Sequence, residues 1–270
     1  MGKKAAAIAA SGEPALSLSE LDSDDALAGI AGPGTWLVAQ FHPATLFSLK
    51  MSSATSGVGK TLLVPTPYVV KMAMLDAALR TGGEPDAERT VERLRALDLR
   101  VGVPERAIVT HTIVKIRQEP KKRTEDSGPY IAAVAYREFV HMAGDLAIAM
   151  NLAALSREGA QEIISLIPMV KCFGKRGSLF QFLSMERRPT LDASFTQSLS
   201  EPDLPLSSMS HIAYLDDFGP EASFEILNSF ESTTAKRDKH RKFVRSIVPL
   251  GLLNCGPGFS EYSKGAGEKL

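Results

Sequence analysis

Two prolines follow a glycine-rich string that spells a phosphate-binding loop, and they limit what this stretch can fold into. Residues 54–61 read Ala-Thr-Ser-Gly-Val-Gly-Lys-Thr, and Pro65 and Pro67 come shortly afterwards. A P-loop needs its lysine and threonine to open a helix, so that backbone N–H groups converge on a phosphate. Proline lacks a backbone donor and disfavours helix at the residue before it, so residues 62–66 should be extended. We therefore predict a helix that begins at Pro67 with Thr66 as its N-cap, and we disfavour a nucleotide triphosphatase.

The composition is that of an ordinary folded protein. The chain has 270 residues, of which 44% are hydrophobic and 23% are charged, enough for a sizeable core. No apolar run approaches the roughly 18 residues that a membrane span requires. Cys172 and Cys255 lie far apart without a cysteine or histidine cluster, which argues against structural zinc and is typical of a reducing cytoplasm. We therefore expect a cytoplasmic protein with no metal, no cofactor and no membrane partner.

Charges are segregated along the chain, although they sum to zero. Residues 13–25 and 201–231 carry acidic side chains and no lysine or arginine. Three basic clusters stand against them: Lys115, Arg117, Lys121, Lys122 and Arg123; Lys171, Lys175, Arg176, Arg187 and Arg188; and Lys236, Arg237, Lys239, Arg241, Lys242 and Arg245. Most charge runs are solvated surface, but three basic clusters in a neutral chain favour a local anionic ligand, and a polyanion would use them best.

The predicted elements follow an order that is typical of a split β-α-β fold. Strands are predicted over residues 35–41, 107–117, 129–142 and 178–185, and helices over residues 67–82 and 157–170. A further extended segment is predicted over residues 145–153. Glycines 82 and 83 should end the first helix, and a more polar helical segment follows at 86–97. This order predicts an α+β, ferredoxin-like (RRM-like) βαββαβ domain, with both helices on one face of an antiparallel sheet and the other face free to bind. Many RNA-binding modules use such a sheet.

Three short stretches resemble motifs of a known family. Residues 64–68 open a helix rich in small residues, residues 136–140 read Tyr-Arg-Glu-Phe-Val and are followed by Asp145, and residues 173–179 contain a glycine turn. Together they resemble the RAMP superfamily of CRISPR-associated proteins. Within it they resemble the subunit that caps the 5′ handle of the guide RNA in type I (Cascade) effector complexes. The resemblance covers roughly residues 35–186.

The resemblance implies a mainly structural role in a ribonucleoprotein complex for antiviral defence. It implies a non-catalytic subunit that holds the 5′ handle of the guide RNA (crRNA) and contacts the backbone and large subunits of Cascade, with target DNA contacted only indirectly. We expect a disordered tail over residues 1–34, a RAMP domain over 35–186, a smaller, mainly β subdomain over 187–256 and a flexible tail over 257–270.

The resemblance also implies which side chains meet RNA. The hairpin tip, residues 118–128, corresponds to the basic thumb that members of the family place against the backbone subunit. The expected RNA-binding residues are Lys50, Gly57, Gly59, Lys60, Arg117, Lys121, Lys122, Arg123, Lys175 and Arg176. We expect Lys50, Lys60 and the glycine-rich string to lie near the N-terminus of the helix that Pro67 opens, where backbone N–H groups could meet a phosphate.

Other functions stay open at this point. One subtype of the family cuts precursor RNA, and a metal-independent endoribonuclease needs a general base, for which His42 after the first strand is the candidate, with Lys50 or Tyr68. A nucleotide triphosphatase is a third hypothesis. Asp216 and Asp217, with Glu221 and Glu225, could form a cation site, but an acidic solvated face or a subunit contact is the favoured interpretation.

Overall fold

A computed structural model describes residues 35–52, 54, 58–120, 128–201, 210–228 and 235–265. The strands are β1 Trp36–Pro43, β2 Val58–Gly59, β3 Asp98–Gly102, β4 Arg106–Gln118, β5 Ile131–Ala143, β6 Leu146–Asn151, β7 Phe180–Arg188, β8 Gln197–Ser198, β9 His211–Phe218, β10 Arg241–Val248, β11 Gly251–Gly256 and β12 Phe259–Ser263. The helices are α1 Pro67–Ala96 and α2 Arg157–Leu166, followed by a 3₁₀ turn Ile167–Met169, with one more helical turn at Phe224–Leu227. The predicted tail over residues 1–34 lies outside the described residues.

Helix α1 begins and is interrupted at the residues that the sequence predicts. Thr66 is the N-cap, its side chain accepts a hydrogen bond from the backbone of Val69, and Pro67 follows it in the first turn. A cap of this kind stabilises a helix by about 1 kcal/mol. Gly83 has φ 76° and ψ −167°, so the helical path is interrupted there before it resumes toward Ala96. The predicted start and the predicted glycine stop are both confirmed.

The first sheet is a four-stranded antiparallel sheet in the order β3-β6-β1-β7. Leu37, Ala39 and Phe41 on one face of β1 share a hydrophobic core with residues of both helices. The opposite face is not free as predicted, because Phe195 packs there against Val38 and its neighbours. The free-face prediction is therefore wrong at this part of the sheet.

The mixed architecture of helices and antiparallel sheets is confirmed, but the sequence assigned two strands to the wrong sheet. The predicted strands at 107–117 and 129–142 form the hairpin β4–β5, which lies in a second, five-stranded sheet of order β11-β12-β4-β5-β2. Residues 98–102 and 146–151 take the two places in the four-stranded sheet instead. The hairpin strands are long and rich in β-branched residues, and this local signal outweighed the weaker pattern of the short strands.

The C-terminal part is integrated with the rest of the chain. A third sheet, β8-β10-β9, packs its strand β9 against α1. Strand β12 lies between β11 and β4, so the predicted flexible tail is wrong for residues 257–265. One core cluster runs from Leu37 to Leu250, across the predicted boundary at residue 187. Among the described residues, no helix combines the length and the hydropathy that crossing a bilayer requires.

Candidate nucleic-acid interface

The glycine-rich string does not open a helix. Gly59 lies in the short strand β2, which pairs in parallel with β5, while Gly57 lies outside the described residues. Thr61 continues as an extended segment that bridges to Lys50, and its backbone N–H donates to Glu138 Oε2 at 2.8 Å. A P-loop needs a helix directly after this lysine-threonine pair, whereas α1 begins only at Pro67. The structure therefore lacks the geometry of a nucleotide triphosphatase at this string.

Two of the first backbone donors of α1 are used within the helix, because Thr66 Oγ1 accepts from Val69 and the Thr66 carbonyl accepts from Val70. Thr66 and the preceding Pro65 are buried. The expectation that backbone N–H groups of this helix end meet RNA stays a prediction.

Lys50 and Lys60 are exposed but do not converge on one point. Lys50 pairs with Thr61, and the carbonyl of Lys60 accepts from the backbone of Met51. Neighbouring residues of an extended segment point to opposite faces, so the two lysines lie on opposite sides of this ribbon. Lys60 instead approaches His211, whose pKa is lowered chiefly by burial and also by the charge of Lys60.

The outer half of the β4–β5 hairpin exposes a face that combines apolar and basic side chains. Directly opposed pairs on that face are Ile113 with Tyr136, Lys115 with Val134, and Arg117 with Ala132. Ile113 is 58% exposed, Tyr136 57% and Val134 69%. A contiguous apolar surface of this kind typically marks an interaction site, and the lysine and arginine beside it add the attraction of an anionic ligand. The predicted tip residues Lys121, Lys122 and Arg123 lie outside the described residues.

The predicted glycine turn joins the end of the 3₁₀ turn to β7. Phe173 is fully buried and anchors it, and Gly174 adopts φ 80°, a conformation that favours glycine. Lys175 and Arg176 follow on the exposed side of the turn. Arg176 lines a groove of about 730 Å³ between the turn and α1, with Arg80 and Lys171 nearby.

Lys175 reaches back toward strand β5. Its Nζ lies 3.4 Å from Ser48 Oγ, and Ser48 Oγ donates to the carbonyl of Glu138 at 2.9 Å. Partial burial lowers the pKa of Lys175, and the nearby charge of Arg137 lowers it further. Arg137 was part of the Tyr-Arg-Glu-Phe-Val motif but was not among the predicted RNA-binding residues. Its proximity to Lys175 depends on chain packing between positions 38 apart, which no local pattern reveals.

His42 has an aspartate partner. His42 Nδ1 lies 2.8 Å from Asp145 Oδ1, and their side chains are 56% and 43% exposed. An aspartate on one ring nitrogen orients the imidazole and leaves the other nitrogen for proton transfer. The predicted helpers are placed differently: Tyr68 packs edge-to-face on Phe218, and Lys50 pairs with Thr61. The pairing of His42 with Asp145 joins the end of β1 to the bend between β5 and β6, across 103 residues of sequence.

The densest basic cluster and the second acidic segment neutralise each other. Antiparallel pairing of β9 with β10 sets Lys242 opposite Asp217, with Nζ 3.4 Å from Oδ2. Arg241 forms an ion pair with Asp216, which is only 4% exposed. Lys239 contacts Glu221 at 3.1 Å. The interpretation of Asp216 and Asp217 as a solvated face is therefore wrong, and much of the β10 cluster is committed to ion pairs within the chain.

These aspartates also do not gather as a cation site. The described residues contain no group of three or more histidine, cysteine, aspartate or glutamate side chains arranged to hold a metal ion. Asp216 and Asp217 are each occupied by basic side chains, which supply the positive charge that a cation would otherwise bring.

Comparison with known proteins finds a similar CRISPR-associated protein. No family model matches the chain. The chain is 21% identical over 212 residues to the CRISPR-associated protein Cas5 of Archaeoglobus fulgidus, an alignment that covers 77% of this chain and 90% of that protein. Over most of its length, the chain is thus similar in sequence to a CRISPR-associated Cas5 protein.

Solved structures of CRISPR proteins are among those that superpose on the chain. A crystal structure of a CRISPR protein from Archaeoglobus fulgidus superposes with a TM-score of 0.43 and 12% identity, covering 86% of this chain and 92% of that one. A chain in the cryo-EM structure of the Type III-B Cmr-beta bound to cognate target RNA gives a TM-score of 0.41 and 13% identity. The superposition covers 57% of this chain and 60% of that one.

Proposed function

We propose that this protein is the non-catalytic guide-RNA-binding subunit of a type I (Cascade) CRISPR effector complex, where it holds the 5′ handle of the crRNA. The similarity to a Cas5 protein across nine-tenths of its length is the observation that carries this proposal. The four-stranded sheet with α1 and α2 would be the ferredoxin-like domain of the family, and target DNA would be contacted only through the assembled complex.

The hairpin supports an assembly role. Its outer face offers exposed Ile113, Val134 and Tyr136 beside Lys115 and Arg117. Apolar side chains suit burial against a protein, and the flanking cations suit the RNA that such a protein carries. We assign this face to the backbone subunit of the complex, with the large subunit on another surface.

The RNA itself provides the test of the function. The tagged chain would be co-expressed with a CRISPR array and its neighbouring effector genes, and the RNA cross-linked to it by ultraviolet light would be sequenced. We expect cross-links concentrated in the repeat-derived 5′ end of the crRNA. Cross-links spread evenly over spacer sequences, or complexes that form only with type III subunits, would contradict the type I handle assignment.

A second candidate function is a metal-independent endoribonuclease that processes CRISPR repeat RNA. The His42–Asp145 pair favours it, because a histidine with one oriented nitrogen is suited to general acid–base catalysis. The isolated protein would be incubated with repeat RNA in EDTA. Specific cleavage that is lost in His42→Ala and reduced in Asp145→Asn would favour the enzyme, and intact RNA would favour the structural role.

A further inference from the structure

Arg137 lies on strand β5, and Lys175 reaches the same strand through Ser48, whose hydroxyl donates to the carbonyl of the adjacent Glu138. Arg137 donates one hydrogen bond from Nη1 to its neighbour's carbonyl, Tyr136 O, at 2.8 Å, and Lys175 Nζ lies 3.4 Å from Ser48 Oγ. No carboxylate in the described part of the chain forms an ion pair with either side chain. The nearest acidic residue in sequence, Glu138, is occupied elsewhere, by the backbone of Thr61 and by His111.

The backbone at Gly59 leaves space for the Arg137 side chain. The guanidinium of Arg137 passes directly over Gly59, where a Cβ would lie 2.8 Å from Arg137 Cδ and 3.1 Å from Nη1. Glycine at this position leaves room for the Arg137 side chain, which a Cβ would have to displace. Ser48 links the lysine to β5, because its hydroxyl also donates to the Glu138 carbonyl.

Two like charges held close together repel each other, and an anion between them relieves that repulsion. Burial is the larger cause of the lowered pKa of Lys175, and the charge of Arg137 lowers this pKa further. Arginine has five N–H donors, and only one contact of Arg137 is made within the described residues. The remaining donors and the lysine ammonium match the oxygens of a phosphate.

We propose that Arg137 and Lys175 form a binding site for a single phosphate group of the RNA backbone, with Ser48 and Gly59 as positioning residues. This inference rests on the proposed RNA-binding function and names the site where the RNA is held. It assigns to Gly59 a role that the glycine-rich string does not suggest: Gly59 makes room for an arginine, and the phosphate binds the side chains rather than the loop backbone.

The first arm of the test measures RNA affinity by fluorescence anisotropy, with a labelled eight-nucleotide single-stranded RNA over a range of KCl concentrations. Arg137→Gln and Lys175→Gln should each weaken binding about tenfold, as expected for a charged hydrogen-bonding contact. The double variant should lower the slope of log Kd against log salt by about 0.7, the value for one phosphate on a single strand, and each single variant should lower it by less. The double variant should lose less than the product of the single losses, because both side chains hold the same phosphate.

Two further variants separate position from charge. Gly59→Ala changes no charge, yet its methyl group must displace the Arg137 side chain, so it should weaken binding in the same direction. Arg89→Gln removes an exposed charge on α1 that is paired with Asp86, and should bind RNA like the wild type. If Arg137→Gln and Lys175→Gln bind RNA as tightly as Arg89→Gln, the site is overturned while RNA binding by the protein stands.

The second arm does not depend on RNA. Sulfate, used as a phosphate mimic, is added at constant ionic strength against chloride, and the thermal unfolding midpoint is followed. Since sulfate also stabilises proteins generally, the wild type must shift more than Arg137→Gln and Gly59→Ala, while Arg89→Gln keeps the wild-type shift. Equal shifts in all four proteins overturn the anion site. If the sulfate shift depends on these residues but the wild type binds no RNA, the anion site stands. RNA as its ligand, and the proposed function, are then overturned.

Discussion

Lys71 on α1 and Asp217 on β9 form a buried ion pair, with Lys71 Nζ 2.7 Å from Asp217 Oδ1 and the lysine side chain wholly enclosed. The Lys71 ammonium also lies 5.7 Å from the centre of the Phe218 ring. This pair connects the helix that packs on the four-stranded sheet with the third sheet of the C-terminal part. It makes the two parts of the chain one packed unit.

Removal of one member of this pair should cost much more stability than replacement of the lysine by an apolar side chain. Asp217→Ala leaves a buried ammonium without its carboxylate, for which we expect a loss of roughly 3–5 kcal/mol in the free energy of unfolding. Lys71→Met removes the buried charge and fills similar space, so its stability should be close to that of the wild type or above it. Urea denaturation of the three proteins measures both effects, and equal losses would contradict this account.

The same lysine predicts a dependence of stability on pH. Burial lowers the pKa of Lys71 in the folded protein, whereas the unfolded chain keeps the ordinary value of 10.5. Between these two values the unfolded state binds more protons, so the stability contributed by this group rises with pH. Below the lowered pKa both states are protonated and the contribution is constant.

The measurement is the difference in unfolding free energy between the wild type and Lys71→Met as pH approaches 10.5. We expect the free energy of unfolding of the wild type to increase relative to that of the variant over the alkaline part of this range. At lower pH the difference between the two proteins should be constant. A difference that instead decreases as the pH rises would show that the pKa of Lys71 is raised in the folded state.

The hairpin face should matter for assembly and little for folding. Tyr136→Ala and Val134→Ser alter exposed side chains, so the free energy of unfolding should change by only about 0.5 kcal/mol. Both should weaken co-purification of the chain with its backbone subunit. Tyr214→Ala is the matched control, because Tyr214 is similarly exposed, at 54%, on a different sheet.

Charge reversal of the three predicted thumb residues tests the expected basic contact. The triple change Lys121→Glu, Lys122→Glu and Arg123→Glu should weaken assembly more at low salt than at high salt, because electrostatic attraction is screened by ions. Wild-type complex formation by this variant at all salt concentrations would rule out the tip as a thumb.

The basic cluster on β10 should contribute little to RNA binding. Lys242 and Lys239 are already paired with Asp217 and Glu221. We therefore expect Lys239→Gln and Lys242→Gln to leave both the RNA affinity and its salt slope near the wild-type values, in contrast to Lys175→Gln. Anisotropy titrations at two salt concentrations measure this. A drop in slope equal to that of Lys175→Gln would place RNA on β10.

The interruption in α1 should require glycine. Gly83 has φ 76° and ψ −167°, and an alanine there meets only open space and Pro85 Cδ at 3.9 Å, so backbone strain is the dominant cost. We expect Gly83→Ala to lower the unfolding free energy by roughly 1–3 kcal/mol. Gly177→Ala, at an open position without a positive φ, is the control and should stay near the wild type. Equal stability of the two variants would show that alanine tolerates the Gly83 backbone.

The sequence predicted those features whose causes lie within a few residues of one another. Pro65 and Pro67 with Thr66 determine where α1 begins, because proline restricts its neighbours and threonine caps the adjacent backbone. The glycine pair at 82 and 83 marks the interruption of the helix. Runs rich in β-branched and aromatic residues predicted the β4–β5 hairpin. The rejection of a phosphate-binding loop followed from the same prolines.

Only the tertiary structure decided how distant charges and strands meet. The fold brings the charge of Lys175 near that of Arg137, 38 residues earlier, and pairs His42 with Asp145 across 103 residues, and neither arrangement leaves a periodic trace in the sequence. Pairing of β9 with β10 turned two segregated charge runs into ion pairs. Gly59 of the glycine-rich string lies beside the proposed phosphate site, but its role there is to leave room for the Arg137 side chain. The sequence could not show this role, because it depends on which distant side chain packs against the glycine.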